Sequence, residues 1–422
     1  MDSMIWKILS AFSVICGLFT GLYGIYFAAI AVLGTIRHRV KTVTAEPQKR
    51  IAALIAARNE EAVIGHLVRS LQKQDYPQEL YDIYVIPNNC TDHTEQEARA
   101  AGAKIITCDV PVHSKGEVLN VAFRHLLSLP EEEGYDAFCI FDADNLVHSG
   151  YMRAVNQTLL EGYDIAQGYR DSKNPDSSWV AGCVSMFYWM MSRFYNSARH
   201  TLGMSAALNG TGFMVSADLI RRQGFDTVSL TEDLEYTAQC AIHGVKVGWM
   251  ENAVIYDEQP IRMVDSYNQR RRWSAGTVQC LKAYGPTLLR KSVREHSLAC
   301  ADILLIFAGA LVQLIGLFPL AFTILYTLGC LVEMNGAAIW LMVGGVIGGI
   351  GGYLGSTLLA ALICWWEKKL SMKRIPALIG FSIFLLTWIP ANLVSLFCPP
   401  PKWKAIPHTV AIDDAEIENH RA

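Results

Sequence analysis

Residues 8–36 carry no charged side chain, a run of about 29 positions. Crossing a bilayer takes roughly 20 apolar residues in a helix, because lipid offers no partner to a free backbone N–H or C=O. The run is longer than the apolar core of a signal peptide and lacks its positive leader. Only Lys7 precedes it, whereas Arg37, Arg39, Lys41, Lys49 and Arg50 follow. It is read as an uncleaved anchor over residues 1–36, with Met1 outside and Arg37 inside.

Three more apolar runs, 303–332, 337–366 and 375–398, are each long enough to span. The link 367–374 carries Lys368, Lys369, Lys373 and Arg374 and is expected on the cytosolic side. The link 333–336 has no positive charge and is expected outside. Threading these signs gives four spans, a cytosolic middle and an outside tail over 399–422. Pro319 is the point where the second run is expected to break if it breaks at all. Gly344, Gly348 and Gly352 recur at a spacing that lets helix backbones approach in lipid. Residues 274–298 mix Leu281, Leu288 and Leu289 with Lys282, Arg290, Lys291 and Arg294, which suits an amphipathic helix on the inner membrane surface.

Composition narrows the remaining classes. Charged residues are 18% of the chain, below the roughly 25% usual in soluble domains, and 52% are hydrophobic, which excludes disorder. A formal net charge of −3 provides no basic field for nucleic acid. The 11 cysteines contain no C-x-x-C pair, so reduced thiols are expected rather than disulfides or a zinc ribbon.

Between 50 and 273 the pattern changes to an alternation of strands and helices. The apolar segments 51–57, 81–87, 104–108 and 137–141 read as strands. Helical patterns follow them, with Val63, Leu67 and Leu71 on one face and Leu119, Phe123 and Leu126 on another. Such alternation predicts an α/β domain with a mostly parallel sheet, whose ligands bind beyond the carboxyl ends of the strands. Arg58-Asn59-Glu60, Asn88-Asn89 and Asp142-Ala143-Asp144 fall there.

Asp142 and Asp144, two residues apart at a strand end, can face one hard divalent cation such as Mg²⁺ or Mn²⁺. Thr231-Glu232-Asp233 offers a carboxylate that could act as a general base, or simply an acidic helix start. In Gln269-Arg270-Arg271-Arg272-Trp273, arginines suit a diphosphate and Trp a sugar face; a juxtamembrane basic patch would look the same. Lys115-Gly116 before a helix could bring a cation near phosphate.

Taken in order, these segments resemble the membrane-bound inverting family 2 glycosyltransferases, the group of cellulose, chitin, hyaluronan and poly-N-acetylglucosamine synthases. The resemblance covers about 51–273. It is carried by Ala56-Ala57-Arg58-Asn59-Glu60-Glu61, Lys115-Gly116, Asp142-Ala143-Asp144, Gln167-Gly168-Tyr169, Gly210-Thr211-Gly212, Thr231-Glu232-Asp233, Asp257-Glu258-Gln259-Pro260 and the Q-x-x-R-W pattern of Gln269, Arg272 and Trp273. It implies a GT-A type nucleotide-sugar domain with Mg²⁺ or Mn²⁺ at Asp142 and Asp144, and Asp233 as base. Donor contacts are then expected from Ala57, Arg58, Asn59, Glu60, Asn88, Lys115, Asp142, Ala143 and Arg272. Acceptor contacts are expected from Gln269, Trp273, Glu232, Gly210 and Thr211. Asn88 stands where the family often has Asp, which bears on the choice of base, expected to be uridine.

The resemblance implies transfer from a nucleotide sugar to a growing polysaccharide with inversion, by a multi-pass plasma-membrane enzyme whose catalytic domain is cytosolic. A homo-oligomer or an accessory export protein would be a natural partner, since four spans are few for a channel. The alternative is transfer of one sugar to a lipid of the ceramide or polyprenyl-phosphate type. A transporter or sensor with a nucleotide-binding module is a third reading, but transporters usually show paired repeats and polar residues at mid-membrane depth, and neither is seen.

Overall fold

A computed structural model describes residues 4–38, 42–333 and 336–399. The expectations for Arg39, Lys41, the middle of the 333–336 link and the tail from 400 onward lie outside these residues.

Eight strands form one sheet: β1 (Ile51–Ala57), β2 (Tyr81–Pro87), β3 (Lys104–Ile105), β4 (Ala137–Asp142), β5 (Leu146–Val147), β6 (Ile165–Ser172), β7 (Phe213–Ser216) and β8 (Gly248–Asp257). Their order is β3-β2-β1-β4-β7-β6-β8-β5. The first four are parallel neighbours. β7 then runs antiparallel between β4 and β6, β8 is parallel to β6, and β5 is antiparallel on β8. The sheet is therefore mixed, with the expected parallel half joined to a second half that combines antiparallel pairs with one parallel pair, β6 and β8. Along β1, Ala52 and Leu54 enter one core while Ile51, Ala53 and Ile55 enter the other. Burial on both faces is why the strand reads as an unbroken apolar run.

The helices are α1 (Met4–Arg37), α2 (Ile64–Gln72), α3 (Thr94–Ala100), α4 (Lys115–Leu127), α5 (Tyr151–Leu160), α6 (Trp179–Met190), α7 (Ala198–Thr201), α8 (Ala217–Gln223), α9 (Glu232–Ile242), α10 (Met263–Arg294), α11 (Leu298–Phe307), α12 (Gly309–Val332), α13 (Ala337–Trp366), α14 (Ile375–Leu386) and α15 (Trp388–Phe397). A π-helical turn, Met191–Ser197, links α6 to α7. Ser114 caps α4 by accepting a bond from the Glu117 N–H at 3.2 Å.

Four helical segments are long and apolar enough to cross a membrane: Met4–Arg37, Gly309–Val332, Ala337–Trp366 and Met372–Phe397. α1 packs along α12, with Trp6 against Phe322 and Tyr326 and Phe12 against Phe318. The run that begins near 303 breaks at Ala308, between α11 and α12, and not at Pro319. α12 continues through Pro319, whose carbonyl accepts the Thr323 hydroxyl at 2.8 Å.

The last segment differs from the other three. It bends at Thr387, and both of its ends return to the α/β domain. Arg374 pairs with Asp176 at 2.7 Å, and the Ser395 hydroxyl, 2.8 Å from the Ala391 carbonyl of its own helix, also lies 3.2 Å from the Arg271 carbonyl of α10. At the bend, Arg270 donates to the Phe384 carbonyl at 3.1 Å and the Thr387 hydroxyl at 2.6 Å, satisfying oxygens freed at the helix end.

α10 is one continuous helix of 32 residues. The expected boundary at 273/274 falls inside it, so the Q-x-x-R-W segment and the amphipathic stretch are successive parts of one rod. Cys280 and Leu288 face inward against α9 and α11, while Leu289 and Val293 face out.

Candidate active site

A cavity of about 1400 Å³ lies beyond the carboxyl ends of the strands. Arg58 and Glu60 enter it from the turn after β1, Asn88 from the end of β2, and Asp142, Ala143 and Asp144 from the end of β4. Gly210, Glu232 and Asp233 line the opposite wall, with Gln269, Arg272 and Trp273 of α10. The structure thus gathers most of the expected site residues into one space.

Three of them do not line it. Ala57 is fully buried and contributes its carbonyl, which accepts both the backbone N–H and the side-chain Nδ2 of Asn88 at 2.9 and 3.0 Å. Asn59, at φ +59°, uses its Oδ1 to hold the Thr91 N–H at 2.8 Å, bracing the loop after β2. Thr211, expected beside the acceptor, is buried below the metal motif: its hydroxyl accepts the Asp142 N–H at 2.9 Å and bonds Asn145.

The turn after β4 is held from below. Asn145 donates to Asp144 at 3.3 Å and to Asp257 at 3.1 Å, and Asp257 is paired with the buried Arg170. Asp142 and Asp144 stay half-buried, on the cavity wall. Among the described residues, no group of three or more His, Cys, Asp or Glu side chains is gathered to hold a metal. Two carboxylates at the mouth of a cavity nonetheless fit a hard cation whose other ligands are water and phosphate oxygens, which is how Mg²⁺ is usually bound.

Lys115, expected near phosphate, lines the cavity beside the strand-end carboxylates. Its ammonium contacts Asp142, donates to the Gly210 carbonyl at 2.6 Å and sits 3.6 Å from Glu232. Burial alone would lower its pKa, but Asp142 and Glu232 together raise it, so it stays charged. Gly116 beside it is needed for close packing, since a Cβ there would lie 2.1 Å from the Thr227 hydroxyl.

Asp233 occupies the first turn of α9. Burial, and then the neighbouring Glu232 charge, push its carboxyl up to about 7, against the lowering pull of the Leu234 N–H, Lys115 and Arg272. Gly210 lies opposite at φ +87°, and a Cβ there would come within 3.5 Å of Asp233 Oδ2. α10 reaches this helix start because Gly276 has no side chain: a Cβ there would be 2.4 Å from the Thr231 hydroxyl. Closeness at Gly276 thus brings the Q-x-x-R-W helix onto the Glu232–Asp233 turn.

Several contributors were not singled out from sequence. Arg170 lies 4.0 Å over the Tyr188 ring, Trp273 meets Tyr188 edge-on at 6.1 Å, and Trp273 stacks on Trp388 at 6.2 Å. These rings give the cavity an aromatic wall suited to a sugar face. Asn209 Nδ2 and Gln269 Oε1 are buried beside the cavity with no hydrogen-bond partner among the described residues. Unpaired buried polar atoms are costly and commonly await a ligand. Asn209 directly precedes Gly210-Thr211-Gly212, and that adjacency was the available signal.

Residues 47–276 match the protein family described as "Glycosyltransferase like family 2". A relative from Synechocystis sp., a beta-monoglucosyldiacylglycerol synthase, is 25% identical over 393 residues, covering 87% of this chain and 77% of that protein. One of the same description from Nostoc sp. is 25% identical over 250 residues, and there the match covers 57% of this chain and 51% of the relative. A solved mannosyltransferase from Pyrobaculum calidifontis, in complex with GDP-Man and Mn²⁺, shares the fold at 15% identity, with a TM-score of 0.60 over 92% of this chain and 99% of that one.

Proposed function

The chain belongs to the family 2-like glycosyltransferases, and on that premise we propose that it transfers a single sugar from a nucleotide-sugar donor to the hydroxyl of a membrane lipid. One observation carries this reading. The cavity that holds the strand-end carboxylates continues between apolar helices, where Thr20 and Tyr23 of α1 and Gly309 and Gly316 of α12 line it. An acceptor can therefore reach Asp233 from the bilayer side. The similarity to glucosyldiacylglycerol synthases supports a lipid acceptor better than the polysaccharide expected from the Q-x-x-R-W pattern.

In this reading Asp233 accepts the proton of the acceptor hydroxyl, whose oxygen attacks the anomeric carbon from the side opposite the leaving diphosphate. A single displacement inverts the configuration. Asp142 and Asp144 would hold Mg²⁺ or Mn²⁺, which when bound neutralises charge on the diphosphate. Lys115 keeps Asp142 and Glu232 from repelling the donor. Arg272 and Arg58 flank the donor space, Asn88 and Glu60 face the nucleoside, and Trp273 backs the sugar.

The same reading bears on topology. A spanning helix carries its far end away from the catalytic domain, yet both ends of the Met372–Phe397 segment are docked on it. α1, α12 and α13 then cross, α14 and α15 lie at the membrane surface, and the tail begins on the same, cytosolic, face as the catalytic domain. Thiol labelling of the exposed Cys398 in sealed vesicles tests this, in a chain whose partly exposed Cys90 and Cys108 are changed to Ser. Labelling only from the face opposite the catalytic domain would restore the fourth crossing.

The assay for function uses the purified chain in vesicles with Mn²⁺, a panel of nucleotide sugars and a mixed-lipid acceptor pool. Expected is a lipid carrying one β-linked sugar, lost on chelation. A polymer with no glycosylated lipid would sink the lipid reading, and transfer unchanged by a chelator would sink the metal assignment.

A further inference from the structure

Three helices meet at the membrane end of the cavity through a short polar chain. The Ser274 hydroxyl of α10 bonds to Asn392 Oδ1 of α15, and Asn392 Nδ2 donates to Gln313 Oε1 of α12 at 2.8 Å. All three residues line the cavity. Gln313 and Asn392 interrupt otherwise apolar sequence, and polar side chains within membrane helices usually mark function. The direction of the bonds matters. Each amide oxygen in the chain accepts one of these bonds; Asn392 keeps a second Nδ2 hydrogen, and Gln313 Nε2 keeps both of its own, with no acceptor among the described residues. Gln313 is partly exposed and lines the cavity, which makes its Nε2 the donor at the end of the chain.

The geometry points to Gln313, set by Asn392 and Ser274, as a hydrogen-bond donor to an ester carbonyl of a neutral glycerolipid acceptor. This deepens the proposed lipid reading and rests on it. An open N–H donor needs an acceptor oxygen, and the strongest acceptors on a membrane lipid are an ester carbonyl and a phosphate. The neighbouring wall favours the ester. The side chains that α1, α12 and α15 place around Gln313 (Thr20, Tyr23, Val312 and Trp388) carry no charge, and the cavity's Arg271 and Arg272 come from α10. A neutral ester fits that wall, and the phosphate arm of the test below decides against the arginines. Depth agrees as well. Gln313 is the fifth residue of the 24-residue α12, about 6 Å from its end at 1.5 Å per residue, and lipid esters lie at the edge of the hydrocarbon layer rather than in its middle. The glycines on α12 let α1 lie close beside it here: a Cβ at Gly309 would be 3.3 Å from the Tyr23 hydroxyl, and one at Gly316 3.4 Å from the Thr20 methyl.

The test compares three acceptors in vesicles with the full chain and its preferred nucleotide sugar: a diester diacylglycerol, the matching diether dialkylglycerol and a polyprenyl phosphate. For the unaltered chain, kcat/KM for the diester should exceed that for the diether by about tenfold, the size of one hydrogen bond worth about 1.4 kcal/mol, and the polyprenyl phosphate should be poor. Gln313→Leu should bring the diester down to the diether value while the donor KM and donor binding stay unchanged. Asn392→Leu, which removes only the group that orients Gln313, should shrink the same ratio. Equal rates with diester and diether in the unaltered chain would overturn the proposal without any variant, as would a Gln313→Leu protein that still prefers the diester. A preference for polyprenyl phosphate would also overturn it while leaving the lipid reading standing. Polymer formation with no lipid product would end both.

Discussion

At the strand end of the cavity the walls are charged: Arg58, Glu60, Lys115, Asp142, Asp144, Glu232 and Asp233. At the helix end, the side chains that α1, α12 and α15 contribute are apolar or neutral, Gln313 and Asn392 included. The first set is positioned by strand termini, the turns that follow them and the first turns of α4 and α9. The second is positioned by helices that meet from distant parts of the chain. The division fits the two substrates proposed above, a charged nucleotide sugar arriving through water and a neutral lipid arriving through the membrane. It also predicts that the two ends fail differently. Damage at the strand end should cost turnover with the fold intact, whereas damage where the helices are clasped to the domain should cost the fold.

The largest effect is expected at Asp233. Asp233→Asn keeps shape and hydrogen bonding but cannot take a proton, so transfer should fall by about 10²–10⁴-fold, the usual contribution of a positioned acid–base group, with donor binding and thermal midpoint retained. Glu232→Gln should cost less. Initial rates beside donor dissociation constants measure this, and near-wild-type transfer by Asp233→Asn would move the base elsewhere.

The helix clasp comes next. Arg199 of α7 forks onto Asp302 of α11 at 2.7 and 2.9 Å, and Tyr26 of α1 donates to the same carboxylate at 2.8 Å. The pair is almost wholly buried, with side chains 1% and 3% exposed. Asp302→Ala leaves a buried guanidinium without its partner and should destabilise the protein by roughly 3–5 kcal/mol. Replacing both partners together, Arg199→Met with Asp302→Leu, should recover most of that. Unfolding in detergent would report it, and an unchanged midpoint in Asp302→Ala would erase the contrast between the two ends.

The smallest effect is a slope. Because burial and Glu232 hold the Asp233 carboxyl near 7, the fraction able to accept a proton falls as pH drops through that value. Transfer should decline about tenfold per unit below it and level off above. In Asp233→Asn that limb should vanish from the residual rate, and its persistence would assign the titration to another group.

The same division explains what could be read from sequence. Charged residues at strand ends stand out, because an apolar strand followed by Asp142-Ala143-Asp144 or Arg58-Asn59-Glu60 leaves a visible edge. The parallel half of the sheet was legible for that reason, with β1 and β2 at their observed limits. β7 was not, since Phe213–Ser216 is four buried residues between a glycine turn and a helix, with no period to detect. Thr211 was expected at the acceptor because it sits in the right motif, yet its direction depends on Asn145 and on the Asp142 backbone. Gln313 and Asn392 were invisible for the opposite reason: each is a lone amide in a long apolar run, and only the meeting of α10, α12 and α15 gives them company. The bend at Thr387 was equally hidden, since it depends on Arg270, more than a hundred residues earlier.

A cavity open to water at one end and to lipid at the other has a consequence for how its two substrates are counted. On the lipid reading proposed above, the donor is sensed as moles per litre, but an acceptor that enters at the helix end is sensed as its fraction of the membrane around those helices. Adding buffer leaves that fraction untouched, while adding inert lipid lowers it even though the total amount of acceptor is unchanged. Saturation with respect to such an acceptor would then belong to a surface, and the rate would follow bilayer composition as well as the amount of enzyme.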